Sequence, residues 1–140
     1  MSSPEQTGSV NYRVLAEFRY RIRRFLRFSE DAARAAGLEP QQHQLLLAIK
    51  GLPEGTEPTI GELAERLQIR HHSVVELIDR LESRGLARRR RSEADRRKVC
   101  VELTDEGERV LESLTIAHLG ELESAGPALL EALQGIVGRR

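Results

Sequence analysis

Apolar residues recur every three or four positions along much of the chain, and this spacing predicts amphipathic helices. From Val10 to Ala36 the sequence contains no proline or glycine, and one apolar stripe runs through Val14, Leu15, Phe18, Ile22, Phe25 and Leu26. Ser9 is a candidate N-cap and Gly37 a candidate C′ residue. Such a helix is about 40 Å long, more than a compact domain of this size needs, so we expect it to pack against a partner chain.

Three shorter helices are predicted next. "LEPQQHQLLLAIKG" predicts a helix from about Gln41 to Lys50, ended by Gly51, and "LPEGTEP" predicts a loop. Thr59 and Glu62 have the capping-box spacing that starts a helix over Ile60 to Leu67. "RHHSVVELIDRLESRGL" then predicts a helix that closes at Gly85. Two helices joined by the short "QI" turn indicate a helix-turn-helix.

The period then changes from helix to strand. Val99, Val101 and Leu103 alternate with Cys100 and Glu102, which predicts a strand. With "LARRR" as the other arm and "RSEAD" as the tip, the segment becomes a β-hairpin, and a hairpin directly after a helix-turn-helix is a wing.

Two helices are predicted at the C-terminal end of the chain. Thr104 can cap the first, "DEGERVLESLTIAHLGELESA", and Pro127 after Gly126 suits the N1 position of the second. The predicted fold is mainly α with a small β-hairpin (α+β), a winged helix-turn-helix flanked by long terminal helices.

Charge is distributed unevenly along the chain. The formal net charge is zero, but the segment from Arg84 to Lys98 carries eight basic and two acidic residues, a local charge of +6. The rest of the chain must carry −6, which predicts one cationic edge on an otherwise anionic body. For such a run in isolation, the simpler alternative is a solvated charge patch.

The segment from Thr59 to Leu111, "TIGELAERLQIRHHSVVELIDRLESRGLARRRRSEADRRKVCVELTDEGERVL", resembles the winged helix-turn-helix core of the MarR family of bacterial regulators. The most specific parts are "LIDRLESRGL", "DRR" at Asp95 to Arg97 and "LTDEG" at Leu103 to Gly107. The long helices on either side match that family's dimerisation region, so the resemblance covers nearly the whole chain after about residue 10. It implies a homodimeric, ligand-responsive transcriptional regulator, a repressor, that binds a pseudo-palindromic operator in double-stranded DNA.

The resemblance also implies an organisation into four segments. Residues 1–9 are expected to be a disordered N-terminus and residues 10–38 a dimerisation helix. Residues 39–104 are expected to form the DNA-binding lobe, and residues 105–140 the C-terminal dimerisation helices.

By the same resemblance, the wing uses Asp95 to hold Arg97 extended toward the minor groove. Arginine suits this position because its fork pairs with phosphate and a narrow A·T-rich groove attracts cations. Asp95 could instead only tighten the turn. The first turns of a recognition helix normally reach base edges. The predicted DNA-binding residues are therefore Arg70, His71, His72, Ser73, Val75, Arg80, Arg88, Arg89, Arg90, Arg91, Asp95, Arg96, Arg97 and Lys98.

Two positions on the recognition helix leave questions open. Glu76 could accept a hydrogen bond from a cytosine amino group, although we expect it to pair with Arg80 at i+4. Arg70 stands where relatives often have a serine or threonine N-cap, so the start of this helix departs from the family pattern.

All five aromatic residues fall in the first helix. In the resembled family, small and often phenolic ligands bind where the dimerisation helices meet the DNA-binding lobe. The candidate pocket residues here are Phe25 and Phe28 with Arg24 or His43. Core and dimer packing is the alternative explanation for the aromatic residues.

Other functional classes find little support in the sequence. The four histidines show no metal-ligand spacing, no cofactor motif is present, and nothing resembles a nucleophile elbow or P-loop, so neither an enzyme nor a metal site is expected. The single Cys100 fits a reducing cytoplasm. The polar N-terminus and the lack of an apolar run of about 20 residues predict a cytoplasmic protein without membrane contact.

Two alternatives to the leading hypothesis remain. One is a redox-sensing regulator that acts through Cys100, whose pKa the basic wing could lower; a cysteine that only fills space in a strand is the simpler explanation. The other is a winged-helix module that binds protein rather than DNA. The basic wing favours DNA, because a protein-docking wing has no need of eight cationic residues.

Overall fold

The computed structural model describes residues 10–138 and confirms the predicted fold class. It is mainly helical, with one two-stranded antiparallel sheet. The predicted disordered segment, residues 1–9, lies outside the described residues. Between residues 10 and 138, no helix is both long and apolar enough to cross a membrane. In chain order the elements are α1 (Tyr12–Ala35), α2 (Pro40–Lys50), α3 (Ile60–Leu67), α4 (His71–Ser83), β1 (Ala87–Arg91), β2 (Val99–Leu103) and α5 (Asp105–Val137).

Local signals place the ends of α1. The candidate cap Ser9 lies outside the described residues, and the backbone N–H of Val14 donates to Asn11 Oδ1 at 3.1 Å. At the other end Gly37 has a φ of +84°. The N–H of the following Leu38 donates to the Ala33 carbonyl at 2.9 Å, which is a Schellman-type stop. The predicted role of Gly37 is therefore confirmed.

The helix-turn-helix forms as predicted, with one difference at the start of α3. Thr59 Oγ1 accepts from the N–H of Glu62 at 3.2 Å. Only this half of the predicted capping box forms, because the Thr59 N–H donates to the Glu57 carbonyl at 2.8 Å. After α3, Gln68 adopts the left-handed conformation with a φ of 55°, which turns the chain into α4.

The core of the central part of the chain lies between α2, α3, α4 and the hairpin. One stripe of α4 is buried, and it fixes which face of this helix points outward. The fully buried side chains of α4 and of the elements packed around it include Leu45, Leu46, Leu63, Val74, Ile78, Leu81, Cys100 and Val101.

The prediction of two C-terminal helices is wrong, because α5 is one helix of 33 residues with Pro127 inside it. A proline in a helix interior loses one backbone hydrogen bond and clashes with the carbonyl four residues earlier, at a cost of about 3 kcal/mol. That cost is local, and a long helix keeps its other hydrogen bonds on both sides. The start of α5 is as predicted, since Thr104 Oγ1 accepts from the Gly107 N–H at 3.1 Å.

The chain forms two compact units. The central unit is Glu30–Ile116, and the terminal unit combines Met1–Ser29 with Ala117–Arg140, of which residues 10–29 and 117–138 are described. In the terminal unit the rings of Phe25 and Phe28 pack edge-on against His118, with centroids 5.9 and 5.4 Å away. The Oγ atom of Ser29 lies 2.8 Å from His118 Nε2.

Gly107 explains why the "LTDEG" motif ends in glycine. A Cβ atom at this position would lie 2.0 Å from the carbonyl oxygen of Leu86. That same carbonyl accepts from the Thr104 N–H at 3.1 Å. The first turn of α5 therefore sits directly on the backbone that leads into β1, and a side chain would separate the two.

We expect Gly107→Ala to lower the free energy of unfolding by about 2 kcal/mol or more, because backbone has to move to accept the methyl group. Urea denaturation followed by circular dichroism measures this change. Gly61→Ala, in α3, is the matched control, since its Cβ would meet nothing within 4 Å. The control should leave stability unchanged or raise it by less than about 1 kcal/mol. Equal stability of the two variants would contradict the close contact.

Candidate nucleic-acid interface

The start of α4 exposes the residues predicted to contact bases. Arg70 occupies the N-cap position in an extended conformation, and its side chain makes no capping hydrogen bond. Arg70, His71 and His72 are exposed, whereas Ser73 and Val75 are half-buried. The first turn therefore presents mainly cationic and imidazole groups to solvent.

The expected pairing of Glu76 with Arg80 is wrong. Both side chains are exposed, and within residues 10–138 no ion pair joins them. An exposed i, i+4 pair contributes only about 0.3–0.5 kcal/mol, so little stability is lost when this one does not form. Glu76 thus remains available to accept a hydrogen bond.

The hairpin that forms the wing (residues 87–103) pairs Ala87 with Leu103 at its base and Arg91 with Val99 near its tip. The second strand of the hairpin forms backbone hydrogen bonds along both of its edges, with β1 on one side and with the loop before α3 on the other. Thr59 forms an isolated antiparallel bridge with Cys100, and the Val101 N–H donates to the Pro58 carbonyl at 3.0 Å. This contact with the loop before α3 was not predicted from the sequence, because it joins segments about forty positions apart.

Two of the wing arginines are paired on one face of the hairpin. Arg88 Nε donates to Glu102 Oε2 at 2.5 Å, and Arg90 Nε donates to Glu102 Oε1 at 3.1 Å. Arg90 also lies 3.8 Å from the carboxylate of Glu57. The hydrogen bond from Arg88 lowers the pKa of Glu102.

Arg89 points to the other side of the hairpin, toward the recognition helix. Its Nη2 donates to Asp79 Oδ1 at 2.8 Å, and its Nη1 donates to Glu82 Oε1. Its backbone N–H donates to Glu82 Oε2 at 3.0 Å. The hydrogen bond with Asp79 is the main cause of the raised pKa of Arg89.

These pairings change the charge of the predicted cationic edge. The local charge of +6 counted along the sequence falls to +2 when Glu57, Asp79, Glu82 and Glu102 are included. The remaining exposed cations of the wing lie at or beside its tip, and they are Arg91, Arg96, Arg97 and Lys98.

Asp95 pairs with Arg97, as the resemblance implied. Arg97 Nε and Nη2 donate to the two carboxylate oxygens of Asp95, each at 3.0 Å. The Arg97 side chain is 90% exposed. The pair lowers the pKa of Asp95 and raises that of Arg97. The result is a guanidinium held at the tip and open to solvent.

Asp95 also shapes the turn, so its two alternative roles coexist. Its carboxylate accepts from the backbone N–H of Arg97 at 3.1 Å, and its own N–H donates to Ser92 Oγ at 3.0 Å. Ser92 is fully buried, and its hydroxyl donates to Glu57. The tip is therefore tied to the loop before α3, a contact that sequence reasoning missed because Ser92 carries no distinctive motif.

The candidate effector residues fall in different units. Arg24 lies in the terminal unit, where its guanidinium carbon is 5.9 Å from the centre of the Tyr20 ring, and Phe25 and Phe28 flank His118. His43 is buried in the central unit. The pocket itself remains a prediction. In the described part of the chain, no group of three or more metal-binding side chains gathers.

Cys100 is fully buried beneath the loop before α3. Burial raises its pKa, and the nearby Glu57 carboxylate raises it further, whereas Arg90 opposes both effects. The alternative in which the basic wing lowers this pKa is therefore wrong, because desolvation outweighs the cation. Selective oxidation needs a low pKa and access to solvent, and Cys100 has neither.

Sequence comparisons show which known proteins this chain resembles. A sequence profile of the MarR family matches residues 36–98. The transcriptional repressor MdtR of Bacillus subtilis is 33% identical over 72 residues, which are 51% of this chain and 44% of that protein. The chain spans less than half the length of the curated relatives it matches.

Two solved structures share the fold. A MarR family protein from Bacillus stearothermophilus is 25% identical, with a TM-score of 0.68 over 83% of this chain and 81% of that one. FabT of Streptococcus pneumoniae, solved in complex with DNA, is 22% identical, with a TM-score of 0.58 over 73% of this chain and 69% of that one.

We expect Cys100 to react much more slowly with a thiol reagent in the folded protein than after unfolding in denaturant, because the thiolate is the reactive form. The raised pKa also sets the sign of the pH dependence: the rate in the folded protein should still be rising at a pH where the unfolded thiol is already ionised. Stopped-flow measurement at several pH values tests both points. Rapid labelling of the folded protein near neutral pH would revive the redox alternative.

Proposed function

We propose that the chain is a MarR-family winged-helix regulator, since the sequence profile of that family matches residues 36–98, and that it is a sequence-specific DNA-binding transcriptional regulator. The observation that carries the proposal is the solvent-exposed Arg97, held by Asp95 at the wing tip. A planar cation fixed in this way suits phosphates or a narrow minor groove. The exposed first turn of α4, with His71 and His72, suits base edges in the adjacent major groove.

We further propose that the output is repression. MdtR, which this chain resembles over 72 residues, is described as a transcriptional repressor, and FabT was solved bound to DNA. By analogy with those proteins, the first observation supports repression and the second supports DNA binding. A regulator of this kind acts in the cytoplasm, where the chromosome lies.

The active form we propose is a homodimer built by the terminal helices. Large apolar side chains lie exposed on the described part of the terminal unit. Contact of this apolar surface with water is unfavourable unless a second copy of the chain covers it. These side chains include Leu15, Leu26, Leu119, Leu130, Leu133 and Val137. Two-fold symmetry then places two wings and two recognition helices on neighbouring half-sites.

A small aromatic effector is the proposed signal, with Arg24, Phe25 and Phe28 of the terminal unit as its candidate pocket residues. Its support is the aromatic and basic character of these residues and the family resemblance. Calorimetric titration of phenolic acids, with Phe28→Ala as the comparison, tests it.

Selection of bound sequences from random duplex DNA is the experiment that tests the main proposal. We expect enrichment of an inverted repeat whose half-sites lie about one helical turn apart. Absence of any enriched sequence, together with binding that is insensitive to salt, would favour the protein-docking module instead.

For Arg97→Ala we expect operator affinity to fall on the order of tenfold or more, with the fold unchanged, because a fixed contact to the groove is lost. Asp95→Ala should cause a smaller loss, since Arg97 remains but is no longer held. Fluorescence anisotropy with a labelled operator measures both. Arg109→Ala is the control: this exposed arginine lies on α5 and pairs with Glu106. If Arg97→Ala bound like this control, the assignment of the wing tip would be wrong.

Sedimentation equilibrium should give the mass of a dimer at micromolar concentration. Leu133→Glu, which places a charge on the exposed apolar surface of the terminal unit, should shift the equilibrium toward monomer. Glu131→Gln, at a nearby exposed position, should leave the mass unchanged. A folded monomer of the parent chain at this concentration would refute the dimer.

A further inference from the structure

Three hydrogen bonds join the first wing strand to the recognition helix through a single residue, Arg89. Its guanidinium contacts both Asp79 and Glu82, and its backbone N–H contacts Glu82 as well. We call this set of contacts the Arg89 bridge. No other arginine of the run Arg88 to Arg91 forms an ion pair with α4 within the described residues.

The position of the Arg89 bridge gives it more weight than an ordinary surface pair. Asp79 and Glu82 are three residues apart, so both lie on one face of α4. The side chains of Arg89 and Glu82 are only 31% and 32% exposed, and the guanidinium fork joins two carboxylates at once. Charge-assisted hydrogen bonds in such an arrangement are stronger and more directional than a single exposed pair.

We infer that Arg89 is a positioning residue that holds the wing at a fixed angle to the recognition helix, and that it does not itself contact DNA. This inference rests on the proposed function and deepens it. It assigns phosphate contacts to Arg91, Arg96, Arg97 and Lys98 at the wing tip. It also ends the base-reading surface of α4 at Glu76, because Asp79 is occupied by Arg89.

Two variants at Arg89 and two at Arg91 distinguish a residue that positions the wing from one that contacts DNA. Arg89→Lys keeps the charge but lacks the planar fork whose two terminal nitrogens bind Asp79 and Glu82 separately. Arg89→Met removes the charge and keeps an apolar stem. Arg91→Lys and Arg91→Met are the matched controls, since Arg91 is exposed on the same strand and, among residues 10–138, its side chain donates only to the Arg96 carbonyl.

Hydrogen exchange of the free protein is the first measurement, and it needs no DNA. Both Arg89 variants should exchange the wing amides, residues 87–91 and 99–103, faster than the parent does. The Arg91 variants should match the parent. Unchanged wing exchange in both Arg89 variants would overturn the inference, whatever the protein binds.

Operator affinity as a function of salt is the second measurement. Both Arg89 variants should lose affinity by about tenfold with an unchanged slope of log K against log salt, because no phosphate contact is lost. Arg91→Met should reduce the magnitude of the slope by about 0.9 for each wing, because one phosphate contact is lost. Arg91→Lys should leave the slope unchanged. A reduced slope in Arg89→Met with full affinity in Arg89→Lys would show that Arg89 contacts phosphate and would overturn the inference. Parent-like affinity in both Arg89 variants would overturn it too.

These two measurements also separate the inference from the function on which it rests. If the parent protein bound no DNA at low salt, the proposed function would fail, while hydrogen exchange would still decide whether the Arg89 bridge holds the wing.

Discussion

Four consecutive arginines repel one another, and the wing depends on carboxylates that reach them from three other segments. Two cations about 7 Å apart repel by about 0.6 kcal/mol in water and by about four times more near a protein surface. In β1 the side chains alternate between faces, so Arg88 and Arg90 share Glu102 while Arg89 meets Asp79 and Glu82. Each carboxylate offsets part of the positive charge of the strand. Each also joins β1 to a neighbouring element.

This neutralisation decides where positive charge remains. Carboxylates surround the strands of the hairpin, and exposed cations concentrate near the tip. The tip is itself fixed, since the buried Ser92 joins it to Glu57 and Asp95 holds Arg97. For a protein that meets the phosphate backbone, charge at one fixed place gives orientation as well as affinity.

The loop before α3 has a structural importance that its sequence does not indicate. It supplies Glu57 to the wing, and its backbone pairs with the outer edge of β2 at Cys100 and Val101. This pairing covers an edge that would otherwise be open. It also buries Cys100, which is why the only thiol of the chain is protected from solvent although it lies in a wing strand.

The sequence by itself determined what depends on neighbours a few positions apart. The ends of α2, α3 and α4, the stop at Gly37 and the hairpin follow from periodicity, capping and turn chemistry. The Asp95 to Arg97 pair, also between near neighbours, was implied by the family resemblance. Only the tertiary structure decided the partners of Arg88 to Arg90, the burial of Cys100 and the continuity of α5 through Pro127. The first two depend on groups distant in sequence, such as Glu57 and Asp79, that folding brings within hydrogen-bond range. The last depends on a balance between one local penalty and the stability of a whole helix, and a local pattern does not contain that balance.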